Sequence, residues 1–187
     1  IIQHAQLHEP EMELRVIGPI MVRMAKESTV PVCVMLDHGE DLDYVKKALD
    51  LGFSAVMYDG SSRPYEENVR MTRETVAMAQ EYGANVEAEI GIVTGHEGKE
   101  FVGGAYTDPE LAAKYVKETG IDALAASVGT VHGFYAAQPK LDFDRIVKIR
   151  ELTGVPLVMH GGSGISVEDT QKAIRCGIRK INYFSYM

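Results

Sequence analysis

Short apolar runs alternate with longer amphipathic segments along the whole chain. The continuous apolar character of runs such as Val32-Cys33-Val34-Met35-Leu36 is typical of strands buried on both faces of a parallel sheet. These runs predict seven strands: Ile1–Ala5, Val30–Asp37, Ser54–Asp59, Asn85–Ile90, Ala123–Ser127, Pro156–His160 and Arg179–Tyr183.

The amphipathic segments between the strands predict helices. One of them opens with Asp108-Pro109-Glu110, an N-cap residue followed by proline at the first helical position. Five of them end at a glycine that leads directly into the next strand, which fits the left-handed position after a helix. The predicted helices are 10–28, 40–51, 65–82, 108–119, 142–153 and 166–176.

This repeated βα unit requires right-handed crossovers and a parallel sheet. Seven strands are too many for most flavodoxin-like sheets and one short of a (β/α)8 TIM barrel, which needs roughly 250 residues. The chain also begins and ends in predicted core strands. We therefore expect residues 1–187 to form a single barrel domain, truncated at both ends, that lacks the first βα unit and the last helix.

Composition narrows the possible functions. The chain has 19 Lys and Arg against 27 Asp and Glu, a net charge of −8, which argues against a partner of duplex nucleic acid. No apolar run approaches the roughly 20 residues that span a bilayer, so no membrane association is expected. Cys33 and Cys176 are too few for a disulfide framework, and two reduced thiols predict a cytoplasmic protein.

Catalytic residues of such barrels lie at the carboxyl ends of strands. Three of the six histidines, His38, His132 and His160, follow predicted strands, and Asp37 precedes the first of them. Three imidazoles with one open position suit a catalytic zinc ion. The alternatives are a hydrogen-bonded histidine at each strand end and, for Asp37, a helix N-cap for the segment 40–51.

Two glycine-rich segments complete the pattern. Gly161-Gly162-Ser163-Gly164 follows the seventh barrel strand and precedes a helix, where backbone N–H groups can hold a phosphate. The segment Gly91–Gly104 is long for a βα connection and carries Glu97, which predicts a lid with a carboxylate. A solvated loop is the alternative for that segment.

Five motifs in collinear order resemble those of the class II, zinc-dependent ketose-bisphosphate aldolases, the family of the fructose- and tagatose-bisphosphate aldolases. They are Leu36-Asp37-His38-Gly39, Val86-Glu87-Ala88-Glu89-Ile90-Gly91, Gly129-Thr130-Val131-His132-Gly133-Phe134-Tyr135, His160-Gly161-Gly162-Ser163-Gly164 and Lys180-Ile181-Asn182. The resemblance covers nearly the whole chain and does not identify the sugar.

The resemblance implies that His38, His132 and His160 bind the catalytic zinc ion. It implies that Asp37 is the general acid/base at the carbonyl, later hydroxyl, oxygen of the aldehyde half. Glu97 matches the carboxylate that moves the proton at the carbon of dihydroxyacetone phosphate. A class I enzyme would need a Schiff-base lysine at a strand end, and the exit Ser127-Val128-Gly129 has none.

Further positions follow from the same resemblance. Asp59 and Glu89, with Glu87 nearby, match a second divalent-metal site, and Gly129 lies in the neighbourhood of a monovalent cation. A homo-oligomer, dimer or tetramer, is implied as well. The residues matched to the binding of dihydroxyacetone phosphate are Gly133, Gly161, Gly162, Ser163, Asn182 and Ser185.

The chain departs from the family pattern at two places. Ala5 stands where a hydroxyl that helps to hold the second phosphate is expected, with His4 and His8 as substitutes or as ordinary polar residues. Tyr183-Phe184 is unusual after Asn182. We expect reversible cleavage of a ketose 1,6-bisphosphate to dihydroxyacetone phosphate and an aldehyde such as glyceraldehyde 3-phosphate. The alternatives are a non-catalytic or regulatory family member and a zinc hydrolase on the same barrel.

Overall fold

The computed structural model describes residues 1–91, 106–132 and 139–185. This part of the chain contains all seven predicted strands and all six predicted helices, together with a 3₁₀ turn at Gln6–His8. The strands are β1 (Ile2–Ala5), β2 (Val34–Gly39), β3 (Ala55–Tyr58), β4 (Asn85–Ile90), β5 (Ala123–Ala126), β6 (Leu157–Met159) and β7 (Ile178–Ile181).

Each strand but the last is followed by one helix, which confirms the predicted α/β class. The sheet order is β1 to β7, identical to the order along the chain, and the strand pairs from β1 to β4 and from β5 to β7 are parallel. The helices are α1 (Leu14–Glu27), α2 (Leu42–Asp50), α3 (Tyr65–Tyr82), α4 (Pro109–Thr119), α5 (Phe143–Thr153) and α6 (Val167–Cys176).

Two predicted boundaries are wrong by several residues. The strand predicted from Val30 begins at Val34 because Pro31 has no N–H group to pair with a neighbouring strand. The helix predicted from residue 10 begins at Leu14, whose N–H donates to the carboxylate of Glu9 over 2.8 Å. The side chain of Glu9 thus satisfies one of the N–H groups that the first helical turn leaves unpaired.

The chain divides into two compact units. The first comprises Ile1–Ala88 and Thr119–Asp122, and the second comprises Glu89–Glu118 and Ala123–Met187. None of the helices within the described ranges is long and apolar enough to cross a membrane.

The core of the first unit lies between its strands and α2. Leu36, Val45, Val56 and Met57 are completely buried there. Burial of one such side chain contributes roughly 1.5–3 kcal/mol. The core of the second unit is built in the same way from strand and helix residues, with Leu124, Ile146, Ile149 and Met159 completely buried.

A polar network lies within the first unit at the end of β1. The Nε2 atom of His4, which is only 5% exposed, lies 3.0 Å from the hydroxyl of Tyr44. That hydroxyl donates to Glu9 over 2.5 Å. Burial, and to a smaller extent the neighbouring His8, lower the pKa of His4, while Glu9 raises it. The neutral imidazole is therefore the form that the folded protein favours.

This network predicts a pH dependence of stability. The unfolded chain binds a proton at His4 more readily than the folded protein, so the free energy of unfolding falls as the pH drops through the unfolded pKa of about 6.5. Replacing His4 with Gln should make this decline shallower between about pH 8 and about pH 5 in urea titrations. Tyr44→Phe keeps the titrating imidazole of His4, so its free energy of unfolding should still fall steeply as the pH drops. Equal slopes for the wild type and His4→Gln would contradict the assignment.

Candidate active site

The β2 exit in the first unit has an irregular backbone. Asp37 and His38 lie where the register of β2 against β3 shifts, between Leu36 and Gly39. His38 has a φ of 44°, in the left-handed region that residues other than glycine rarely adopt. A Cβ atom on Gly39 would lie 2.8 Å from the carbonyl oxygen of Met57, so glycine is required there. Such irregularities at a strand end are typical of functional sites.

His38 is held by a carboxylate from the β3 exit. Its Nδ1 atom lies 2.8 Å from Oδ2 of Asp59, and both side chains are largely buried. Burial raises the pKa of Asp59, but the hydrogen bonds and charge of His38 and the hydrogen bonds from Ser61 outweigh burial and hold this pKa well below its usual range. A carboxylate on Nδ1 fixes the ring and leaves Nε2 of His38 as the nitrogen that can bind a metal ion.

In the second unit, a glycine lets two strand exits touch. Gly161 has a φ of 68°, and a Cβ atom there would lie 2.1 Å from the carbonyl oxygen of Val131. The backbone after β6 therefore packs directly against the residue that precedes His132. This close approach brings Nε2 of His132 to 3.2 Å from Nδ1 of His160, a residue that is 1% exposed.

The spacing of these two nitrogens suits a shared metal ion. Zinc binds histidine nitrogens at roughly 2.0–2.1 Å in tetrahedral geometry, which places two ligand nitrogens about 3.3 Å apart. The observed 3.2 Å between His132 and His160 is close to that value. The rings are inclined by 72°, so they do not stack face to face.

The predicted phosphate turn is tied to the β7 exit. The N–H group of Gly162 donates to the carbonyl of Asn182 over 2.9 Å, and Ser163 Oγ accepts from the N–H group of Phe184 over 3.1 Å. Asn182 Nδ2 lies 3.5 Å from Nδ1 of His160. The Gly162 amide is thus used within the fold, and a phosphate here would depend on other donors of the turn.

Two carboxylates of β4 are buried, with Glu87 at 3% and Glu89 at 1% exposure. Their spacing of two residues places them on one face of the strand. Buried carboxylates are normally paired or bound to metal ions, which is consistent with a role at the site. Gly129, with a φ of 106°, approaches the carbonyl of Lys140 so closely that a side chain would not fit.

The remaining predicted site residues are described only in part. Glu97 and Gly133 lie outside the described residues. Ser185 is described and partly buried beyond the end of β7. The roles assigned to these three residues stay predictions.

Comparison with known proteins identifies the family. The sequence model described as "Fructose-bisphosphate aldolase class-II" matches residues 1–187. The chain belongs to this family. It is 51% identical over 155 residues to the fructose-bisphosphate aldolase of Geobacillus stearothermophilus, covering 82% of this chain and 54% of that protein. It is also 51% identical over 154 residues to the 6-phospho-5-dehydro-2-deoxy-D-gluconate aldolase of Halalkalibacterium halodurans, with the same coverage of each chain.

A solved structure agrees with the family assignment. The crystal structure of the YdjI aldolase from Escherichia coli K12 superposes with a TM-score of 0.87 at 37% identity, covering 97% of this chain and 64% of that one. The chain spans about half the length of the curated relatives it matches.

Sequence reasoning missed one residue that organises the second unit. Thr107, 3% exposed, donates from its hydroxyl to the carbonyl of Ile90 over 2.8 Å and accepts from the N–H group of Ser127 over 2.9 Å. Its own carbonyl accepts from Arg145 over 2.7 Å. One hydroxyl thus joins the ends of β4 and β5. A single threonine carries no sequence signal for this role.

Replacing Thr107 with Val should remove this bridge while preserving the shape of the side chain. Two buried backbone groups would lose their partner, and each such loss costs about 1–3 kcal/mol. The free energy of unfolding should therefore fall by about 2–4 kcal/mol in chemical denaturation. Thr107→Ser keeps the hydroxyl and loses only a methyl group, so it should cost about 1 kcal/mol. A Ser variant as unstable as the Val variant would contradict the bridging role.

Proposed function

We propose that the protein is a zinc-dependent aldolase that reversibly cleaves a phosphorylated ketose to dihydroxyacetone phosphate and an aldehyde. The observation that carries the proposal is the pair of imidazole nitrogens 3.2 Å apart, His132 and His160, in a chain of the class II aldolase family. The resemblance implies a ketose 1,6-bisphosphate of the fructose or tagatose type, with an aldehyde such as glyceraldehyde 3-phosphate. The relative from Halalkalibacterium halodurans is named for a substrate with one phosphate.

In this proposal His38, His132 and His160 hold the zinc ion as neutral imidazoles. The donor set fits zinc, since the His132–His160 spacing suits two ligands of one ion and the Asp59 carboxylate orients the His38 ring. When bound, zinc supplies Lewis-acid stabilisation of the negative charge that develops on the ketone oxygen during cleavage. Asp59 and Glu89 are the proposed ligands of a second divalent ion, and a monovalent cation is proposed near Gly129.

Two carboxylates move the protons. Asp37 accepts the proton of the C4 hydroxyl as the carbon–carbon bond breaks, and returns it to the aldehyde oxygen during condensation. Glu97 takes or delivers the proton at the carbon of dihydroxyacetone phosphate. The two roles are separate because the two protons belong to different halves of the substrate.

The phosphate of dihydroxyacetone phosphate is proposed to bind at the turn before α6. Residues of that turn precede the N-terminus of α6, which favours an anion, and Ser166 already caps the helix by accepting from the N–H group of Asp169. Gly162 supports the turn through its bond to Asn182. The proposed contacts are Gly133, Gly161, Ser163, Asn182 and Ser185, while Gly162 shapes the turn because its N–H group already bonds to Asn182.

We propose a (β/α)8 barrel as the scaffold, supported by a strand order that follows the chain order. A cytoplasmic homo-oligomer, dimer or tetramer, completes the proposal. The same histidines would also serve a zinc hydrolase, and a non-catalytic relative would keep them without turnover. An aldol-cleavage assay with measured zinc content separates these three functions.

Replacing His132 with Ala should abolish metal-dependent cleavage. One of three zinc ligands is lost, so zinc content measured by mass spectrometry should fall together with release of dihydroxyacetone phosphate. Because the β5 strand ends at Ala126, the fold should survive, as circular dichroism can check.

The matched control is Glu151→Ala on the surface of α5, which should retain zinc and activity. Full activity of the wild type in excess chelator would overturn the zinc mechanism. Trapping of a lysine adduct by borohydride would indicate class I chemistry instead.

Replacing Glu97 with Gln should slow exchange of the C–H proton of dihydroxyacetone phosphate. The variant keeps the size of the side chain and removes the base, so exchange measured by NMR in deuterated water should fall by about 10²–10⁴-fold. Substrate binding should change much less, because zinc and phosphate contacts remain. Glu100→Gln in the same segment is the control and should exchange normally. Normal exchange in the Glu97 variant would shift the role to Glu89, Glu100 or a water molecule.

A further inference from the structure

The turn that leaves β3 in the first unit is fixed by its backbone. The N–H group of Asp59 donates to the carbonyl of Gly39 over 2.9 Å, which ties this exit to that of β2. A Cβ atom on Gly60 would lie 2.5 Å from Oδ1 of Asn68, so the turn packs directly against α3. The next residue, Ser61, therefore starts from a well-defined position.

Ser61 makes two hydrogen bonds to one oxygen of the Asp59 carboxylate. Its hydroxyl donates to Oδ1 over 2.7 Å, and its N–H group donates to the same oxygen over 3.1 Å. The second contact is an Asx turn, in which an aspartate binds the backbone two residues later. Both lone pairs of Oδ1 are then used, so the carboxylate cannot rotate without breaking two bonds.

The other oxygen of this carboxylate serves His38. Oδ2 of Asp59 lies 2.8 Å from Nδ1 of His38, and the side chains are only 18% and 13% exposed. A carboxylate accepts hydrogen bonds, so Nδ1 carries the hydrogen and Nε2 keeps the lone pair that a metal ion needs. The three side chains thus form a chain of hydrogen bonds from Ser61 to the His38 ring.

His38 depends on such support more than a residue of a regular strand would. Its φ of 44° lies within the stretch where the register of β2 against β3 shifts. Strand geometry therefore does not set the direction of its side chain, and the contact with Asp59 has to do so.

We propose that Ser61 is a positioning residue for the metal site, which orients the His38 ring by holding the Asp59 carboxylate. The inference rests on the proposed function, in which His38 is a zinc ligand. Ser61 touches neither metal nor substrate in this proposal. Groups that hold a ligating histidine through its other nitrogen tune metal affinity, and Ser61 extends this support by one further residue.

The same turn offers a matched control. Ser62 follows Ser61 and is exposed. Replacing Ser61 with Ala removes the hydroxyl and keeps the N–H bond to Asp59, so the turn should survive. Replacing Ser61 with Thr keeps the hydroxyl and should preserve the contact.

Zinc affinity of the purified chain, measured by competition with a chromogenic chelator, is the first readout. Ser61→Ala should raise the Kd for zinc by about 3–10-fold, which is less than the roughly 10–100-fold typical of losing a group that contacts a ligating histidine directly. Ser61→Thr and Ser62→Ala should bind zinc like the wild type. Circular dichroism of the zinc-free proteins checks that all three variants are folded.

Two further measurements show whether the effect passes through His38. In a His38→Ala background, Ser61→Ala should not change the Kd for zinc any further, because the ring that Ser61 orients is gone. In the zinc-free wild type, ¹⁵N NMR should show the His38 ring with its hydrogen on Nδ1, assigned by comparison with His38→Ala. Ser61→Ala should increase the share of the form with hydrogen on Nε2. A role of Ser61 in stability alone would change neither result.

The outcomes keep the inference apart from the proposed function. Unchanged zinc affinity in Ser61→Ala overturns the inference and leaves the aldolase function standing, as does an equal loss in Ser62→Ala. An equal effect of Ser61→Ala with and without His38 also overturns it. A wild type that binds no zinc overturns both. A wild type that binds zinc through Ser61 but releases no dihydroxyacetone phosphate overturns only the aldolase function. A loss of affinity in Ser61→Ala that Ser61→Thr avoids supports the inference.

Discussion

Parallel strand pairing is the constraint on which the site depends. In a parallel ladder each strand runs in the same direction as its neighbour, so within each unit the strand exits lie along one edge of the sheet. The register of β1 against β2 places Ala5 opposite Asp37, and that of β6 against β7 places Met159 opposite Ile181. The polar residues that follow these pairs lie close together because the paired strands end at the same edge of the sheet. Their proximity does not depend on attraction between the side chains.

Close backbone contacts then set the distances that chemistry needs. Gly161 admits the carbonyl of Val131 where any side chain would collide, and this contact determines how near His132 comes to His160. Thr107 performs a similar task with a hydroxyl, since it bonds to the ends of β4 and β5 at once. In both cases a contact to the backbone positions a strand end near proposed site residues.

The sequence was sufficient to predict the seven strands and six α-helices of the described residues, because buried parallel strands and glycine-terminated helices leave strong periodic signals. Strand-end histidines could be predicted from the same periodicity. The start of β2 was predicted too early, because the apolar run around Pro31 begins before the residues that pair with neighbouring strands. Contacts such as His38–Asp59 and the Thr107 bridge depend on side-chain conformations and register shifts that single residues do not reveal.

The proposed chemistry depends on fixed distances between a few side chains. Metal binding needs a few nitrogens at fixed distances, so it tolerates little change around His132 and His160. The family includes relatives named for different substrates, so the fold and the strand-end histidines do not by themselves determine which substrate is used.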